Sequence, residues 1–230
     1  MATNKNQQTP AEESLSKTEA FVVKYKKAML IAVAAIIVIV GGGICINNFY
    51  LQPRSAEAST AMAKGQDLFA QQLYDKALNG DGAGYIGFLK VIDQYGCTDA
   101  ANLAKLYAGL CYANLGKWQE AADQLDAYSP ADDAMVSPAA EAALGNAYAH
   151  LNKIDDAVSC LKKAAKMADS KSESGHNLSL SPQFLLQAAE LLESQGKTAE
   201  ALDIYKSIKS GYVNSPVSRD IDKFIERATK

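Results

Sequence analysis

The sequence predicts an all-α chain: an α-solenoid of about four helix-turn-helix units with a C-terminal capping helix, preceded by one transmembrane helix. Three observations carry that expectation. The run Leu115-Gly116-Lys117-Trp118-Gln119-Glu120-Ala121 returns as Leu151-Asn152-Lys153-Ile154-Asp155-Asp156-Ala157 and again as Gln195-Gly196-Lys197-Thr198-Ala199-Glu200-Ala201. Small residues recur in phase with it, at Gly109, Gly145 and Ala189, twelve positions before each terminal alanine. Residues 28–46 are a 19-residue apolar stretch without a charge. A unit repeating at this period cannot bury its apolar face alone, so neighbouring units stack into a solenoid.

Residues 1–27 read as a polar, cytoplasmic tail, and 1–20 in particular hold nothing periodic to bury, so they are expected to be irregular. At ~1.5 Å rise per residue, 28–46 extends roughly 28 Å, enough for a bilayer core. A cleaved signal fits poorly, because signal cores run ~7–15 residues and this one follows a largely polar stretch of 27 residues. A lipid-attached Cys45 would need a small residue before it, and Ile44 stands there. Lys24, Lys26 and Lys27 precede the span, whereas Arg54 and Lys64 are the nearby bases beyond it, so the positive-inside rule places the amino terminus in the cytoplasm and residues 47–230 across the membrane. Phe49 and Tyr50 would lie at the far interface. Residues 47–63 are expected as a linker helix, 64–214 as the repeats and 215–230 as the cap.

Aligned on the small residue opening each second helix, the units read Gly84, Ala121, Ala157 and Ala201. Tyr112, Tyr148 and Leu192 follow the first-helix small residues by three, and Phe88, Leu125, Leu161 and Tyr205 fill the next large position of the second helix. Close helix crossings need this juxtaposition of small and large. In this register Asn79-Gly80-Asp81-Gly82 is the first turn, and Gln72 takes the first unit's small position. Ser137-Pro138, Ser181-Pro182 and Ser215-Pro216 read as N-capping hydroxyls before a first-turn proline. The last opens a helix over 216–228 with Ile221, Phe224 and Ile225 on one face. The polar segment 169–181 accounts for the longer third spacing.

These positions resemble the tetratricopeptide repeat (TPR), whose signature joins Leu-Gly, Tyr, a downstream Ala and an aromatic. The resemblance covers about residues 64–214. The early Trp of that signature is replaced by Lys105, Glu141 and Leu185 in the last three units.

Composition argues against several chemistries. With 23 basic and 26 acidic residues the net charge is −3, and because residues 1–46 hold five lysines against three glutamates, the remainder carries −5, which offers no general attraction to nucleic acid. Gly82-Ala83-Gly84-Tyr85-Ile86-Gly87 matches a dinucleotide-binding string but follows a helical segment rather than a strand. His150 and His176 lack ligands at metal spacing, so no metal is expected. Asp132-Asp133 and Asp155-Asp156 read as helix-start acids rather than an acid/base pair. Cys97, Cys111 and Cys160 are an odd set beyond the span, allowing at most one bridge. No catalytic residue, cofactor or small-molecule substrate is expected.

What remains is the face made by the first helices. It is predicted to carry Phe69, Leu73, Leu103, Leu106, Leu110 and Asn146, with Lys76, Asn114, Ala142 and His150 beside them. Either these leucines are covered by the helix emerging from the membrane, or they form a groove for an extended or helical partner segment. Tail, span and repeats together resemble the YfgM family of bacterial inner-membrane proteins. That resemblance implies a non-enzymatic adaptor with the TPR domain in the periplasm, near translocon subunits, periplasmic chaperones or nascent chains. A structural scaffold in cell-envelope assembly is the alternative, and a cytosolic TPR domain on a eukaryotic organelle is the alternative orientation.

Overall fold

The computed structural model describes residues 10–230, and among them all regular structure is helical. The chain divides into two compact units, the first ending at Pro53 and the second running Arg54–Lys230.

In the first unit α1 (Pro10–Ile46) is followed by a π-helical turn, Asn47–Leu51. The irregular tail expected over 1–20 lies partly outside the described residues, and from Pro10 onward the backbone is helical instead. Ala11, Glu12, Glu13, Leu15 and Lys17 are strong helix formers, and proline suits a first helical position. Leu30, Ile31, Ile36, Ile37, Val38 and Ile39 are exposed. The helical stretch Lys24–Ala70 contains a window of mean hydropathy 2.9, long and apolar enough to cross a membrane. The π-helical turn has a local cause. Pro53 offers no N–H to the carbonyl of Phe49 and its ring crowds that oxygen, so the preceding turn widens. Residues 47–63 are thus shared between this turn and the start of α2 (Gln52–Ala70).

The second unit stacks four helical pairs. They are α2 with α3 (Tyr74–Asn79) and α4 (Phe88–Tyr95), α5 (Asp99–Asn114) with α6 (Trp118–Asp126), α7 (Val136–His150) with α8 (Ile154–Ser170), and α9 (Ser181–Ser194) with α10 (Thr198–Gly211). One motif turns each pair. Gln72, Gly116, Asn152 and Gly196 adopt left-handed backbone, with φ of 61°, 73°, 60° and 73°. The next residue's N–H bonds five residues back: Leu73 to Leu68, Lys117 to Tyr112, Lys153 to Tyr148 and Lys197 to Leu192, at 2.9–3.0 Å. This is the Schellman closure, repeated four times.

The motif corrects the register of the first unit. Its turn is Gln71-Gln72-Leu73, not 79–82, and the small residue opening its second helix is Ala77, not Gly84. Gly65 then stands twelve positions earlier, in phase with Gly109, Gly145 and Ala189. The glycine-rich segment 80–87 is an insertion that breaks the second helix into α3 and α4. A Cβ on Gly65 would lie 2.4 Å from a ring carbon of Phe88, and one on Gly109 would lie 2.6 Å from Cγ of Leu125. On Gly145 it would come 3.1 Å from Cγ of Leu161. Small residues are therefore required where the paired helices cross.

The long spacing between the third and fourth units also has a different source. The connections 127–135 and 171–180 are nearly equal, but α8 has 17 residues against nine in α6. Ala164, Ala165 and Ala168 are buried, so the extra turns extend the core rather than a loop.

Two of the serines expected as caps do other work. Ser137 and Ser181 are buried inside their helices. Ser181 Oγ donates to the carbonyl of Ala165 at 2.9 Å, tying α9 to α8. The start of α7 is capped by Asp133, whose carboxylate accepts from the N–H groups of Met135, Val136 and Ser137. Ser215 does accept from the N–H of Ser218 at 3.2 Å, but the segment it opens is a 3-10 turn, Val217–Arg219, followed by α11 (Ile221–Thr229). Ile221 is buried, and Phe224 and Ile225 pack on the same cluster. Arg227 grips Glu193 of α9 through Nε and Nη2 at 2.8 and 2.6 Å, while Tyr205 donates to the same carboxylate at 2.8 Å. Where the TPR signature has its early Trp, Lys105 donates to the carbonyl of Ala127 at 3.1 Å, Glu141 pairs with Lys163 at 2.8 Å, and Leu185 packs on the core.

Gln72→Gly is expected to stabilise the fold by about 0.5–1 kcal/mol, because the left-handed cost of a side chain, ~1–2 kcal/mol, exceeds glycine's extra chain entropy. Denaturant unfolding of both forms measures this, and an unchanged or lower midpoint contradicts the assigned turn.

Candidate functional site

Successive first helices line one face of the solenoid, and the residues expected there meet different fates. Leu106 is 7 % exposed and belongs to the cluster around Ala121, Leu125 and Leu144. It is core, not groove, because α5 is enclosed by its own second helix and by the next pair. Leu103 is half-buried between two clusters. Phe69 is half-buried, its ring edge-on to Tyr74 at 5.5 Å and to Tyr107 at 5.3 Å. Leu73 is in the exposed first turn rather than on the first-helix face. Leu110 and Asn146, by contrast, come together.

They line a cleft of about 370 Å³ between α5 and α7. Leu110, Ala113 and Asn114 come from α5, Ala143, Asn146, Ala149 and His150 from α7, and Trp118 from the start of α6. The Trp118 and His150 rings stack at 3.6 Å, 5° from parallel, forming one wall. The Nδ2 of Asn114 donates to the carbonyl of Leu110 at 2.8 Å. No lysine, arginine or carboxylate lines this space. It offers aliphatic floor, aromatic wall and neutral amide groups, which suit a protein segment better than a charged small molecule. Sequence reasoning missed Trp118, Ala113, Ala143 and Ala149. The single Trp was a visible signal; three alanines were not.

The chemistry elsewhere is self-satisfied. A hollow of about 460 Å³ beside α6, α7 and α8 includes Glu141 and Lys163, already paired, and Cys160. Desolvation, reinforced by the Glu141 carboxylate, pushes the Cys160 thiol up to about 12, and burial pushes Cys111 to about 12. Both stay protonated at neutral pH and are poor nucleophiles. Among the described residues no three His, Cys, Asp or Glu side chains are grouped to hold a metal. His176 lies against the ring of Tyr212, at 5.3 Å.

The dinucleotide-like string is filled by the chain itself. Asp81 Oδ1 accepts from the N–H groups of Ala83 and Tyr85 at 2.8 and 2.9 Å, and Oδ2 meets Lys64 at 2.9 Å. The loop's amides thus cradle a carboxylate from their own segment. A Cβ on Gly87 would come 2.3 Å from the carbonyl of Leu78, which explains why glycine closes the loop.

Residues 142–216 match the tetratricopeptide repeat family. No curated protein sequence matches the chain. Among solved structures it is similar to the nearly identical TPR-like repeats of a Podosopora anserina protein named as a kinesin light chain, at 16 % identity over 77 % of this chain and 84 % of that one, with a TM-score of 0.51. A single-substitution form of those repeats matches at 15 % identity with the same coverage and TM-score. At such identity the likeness concerns the fold, which is a TPR-like solenoid.

Lys64 first, and then the Tyr85 and Ala83 amides, hold the Asp81 carboxyl down at about 2. Because its folded value lies below the unfolded ~3.9, the stabilisation is complete above pH ~4 and lost as pH falls toward about 2. The melting-temperature difference between the natural chain and Asp81→Asn should shrink across that window, and a constant difference would contradict the cradle.

Proposed function

We propose that this TPR-type solenoid is a membrane-tethered adaptor whose cleft between α5 and α7 holds a segment of a protein partner. The observation that carries the reading is the open, uncharged cleft itself, on a fold whose relatives serve as protein-binding scaffolds. A partner segment laid there would bury apolar area against Leu110, Ala113 and the Trp118 ring, and its backbone would face the amide of Asn146. The absence of lysine and arginine from the lining argues against a clamp for a terminal carboxylate.

The apolar part of α1 supports a single-pass tether, and the lysines before it support an amino terminus in the cytoplasm with the solenoid in the periplasm of a bacterial inner membrane. A binding cleft held there suits translocon subunits, periplasmic chaperones or nascent chains as partners. The chain's role in this reading is capture and placement, with no chemical step.

A photo-crosslinking residue at Asn146 in intact cells, with one at Leu106 as the buried comparison, tests the proposal. The expected result is partner adducts from position 146 and none from position 106, with translocon, chaperone or nascent-chain peptides identified by mass spectrometry. Adducts with envelope-assembly proteins would favour the scaffold role, and equal adducts from both positions would contradict the cleft.

A further inference from the structure

Equivalent positions bound the spaces between successive first helices, so the solenoid supplies its own comparison. Between α2 and α5 the equivalents of Ala113, Trp118 and Ala143 are Phe69, Tyr74 and Tyr107, one unit earlier. There the space is filled, with the Phe69 ring edge-on to Tyr107 at 5.3 Å and to Tyr74 at 5.5 Å. Between α7 and α9 the positions of Ala113 and Ala143 are taken by Ala149 and Gln187, and the Gln187 side chain buries its Oε1. Only between α5 and α7 are both positions alanine, and there the cleft of about 370 Å³ opens.

We infer that this cleft receives an aromatic side chain from a different polypeptide, set in an uncharged stretch, in the place that the Phe69 and Tyr107 rings occupy one unit earlier. The inference rests on the proposed adaptor function and specifies what the cleft selects. The Trp118 ring provides the face against which an incoming ring packs, as Tyr74 does for Phe69. A charged neighbour in the segment would lose hydration against a lining that has no counter-charge. A second copy of the solenoid is a poor source of the ring, because every Phe, Tyr and Trp in Arg54–Lys230 is at least partly buried.

The test uses the full chain in lipid nanodiscs, with Trp118, its one tryptophan, as the fluorescent reporter. The probe is a capped heptapeptide, acetyl-Ser-Gly-Ala-Phe-Ala-Gly-Ser-amide, compared with versions carrying Leu or Glu in place of Phe. The Phe peptide should change Trp118 emission saturably, the Leu peptide should bind about fivefold more weakly, and the Glu peptide should give no response. Ala113→Phe with Ala143→Tyr, which rebuilds the filled arrangement, should abolish the response while leaving helicity intact. If that pair disturbs folding, Ala113→Phe alone supplies the same block with half the added bulk. Equal binding of Phe and Leu peptides, still lost on filling, overturns the aromatic preference but not the adaptor role. No response to any peptide, or a response that survives filling, overturns the aromatic site, and unchanged adducts from Asn146 in the filled variant would sink the adaptor reading as well.

Discussion

Everything in the solenoid depends on the crossing of each first helix over its partner at a residue too small to hold them apart. Gly65 against Phe88 and Gly109 against Leu125 leave no space for a further methyl group, Gly145 against Leu161 leaves a tight one, and Ala189 and Tyr205 are fully buried in the same role. That approach sets the tilt of the pair, and the left-handed turn before each second helix returns the chain at the right height. Stacking then follows, because each pair keeps an apolar flank only the next pair can cover. The terminal flank is covered by α11, fixed by the bidentate Arg227–Glu193 contact and the Tyr205 hydroxyl.

The middle of this arrangement was legible in the sequence because its turns carry glycine or asparagine, the residues that adopt left-handed backbone at least cost. The first turn was not, since Gln72 takes that conformation without advertising it, while the glycines of 80–87 drew the register seven residues astray. Those glycines serve another need, a tight loop around the Asp81 carboxylate. The Ser-Pro pairs marked real helix starts, but the buried Ser137 hydroxyl bonds Ala131 and Asp133 in the loop before α7, and that of Ser181 reaches across to α8, instead of capping. In the sequence the longer spacing falls to the polar segment 169–181, of which only Asp169 and Ser170 belong to α8, because an apolar pattern does not show that α8 runs longer than α6.

The candidate site was half legible for a related reason. Helical periodicity identifies an apolar face without saying whether another helix covers it, and in a solenoid the first helices are covered on several sides. Leu106 and Leu110 are one turn apart, yet one is sealed in the core and the other borders open space. The cleft arises from what two positions lack relative to their counterparts one unit earlier, and absence of volume has no signature in a hydropathy pattern. Its lining has no lysine, arginine or carboxylate, whereas the hollow beside α8 holds the paired Glu141 and Lys163.

The central claim is that this cleft is open surface in the isolated chain and occupied in the cell. Cysteine placed at Asn146 and labelled with maleimide, read by peptide mass spectrometry to separate it from Cys97, addresses both halves. The account predicts rapid labelling in the purified chain, no labelling of buried Cys111, and marked slowing at position 146 in native membranes. Equal rates at 146 in purified protein and native membranes would contradict it.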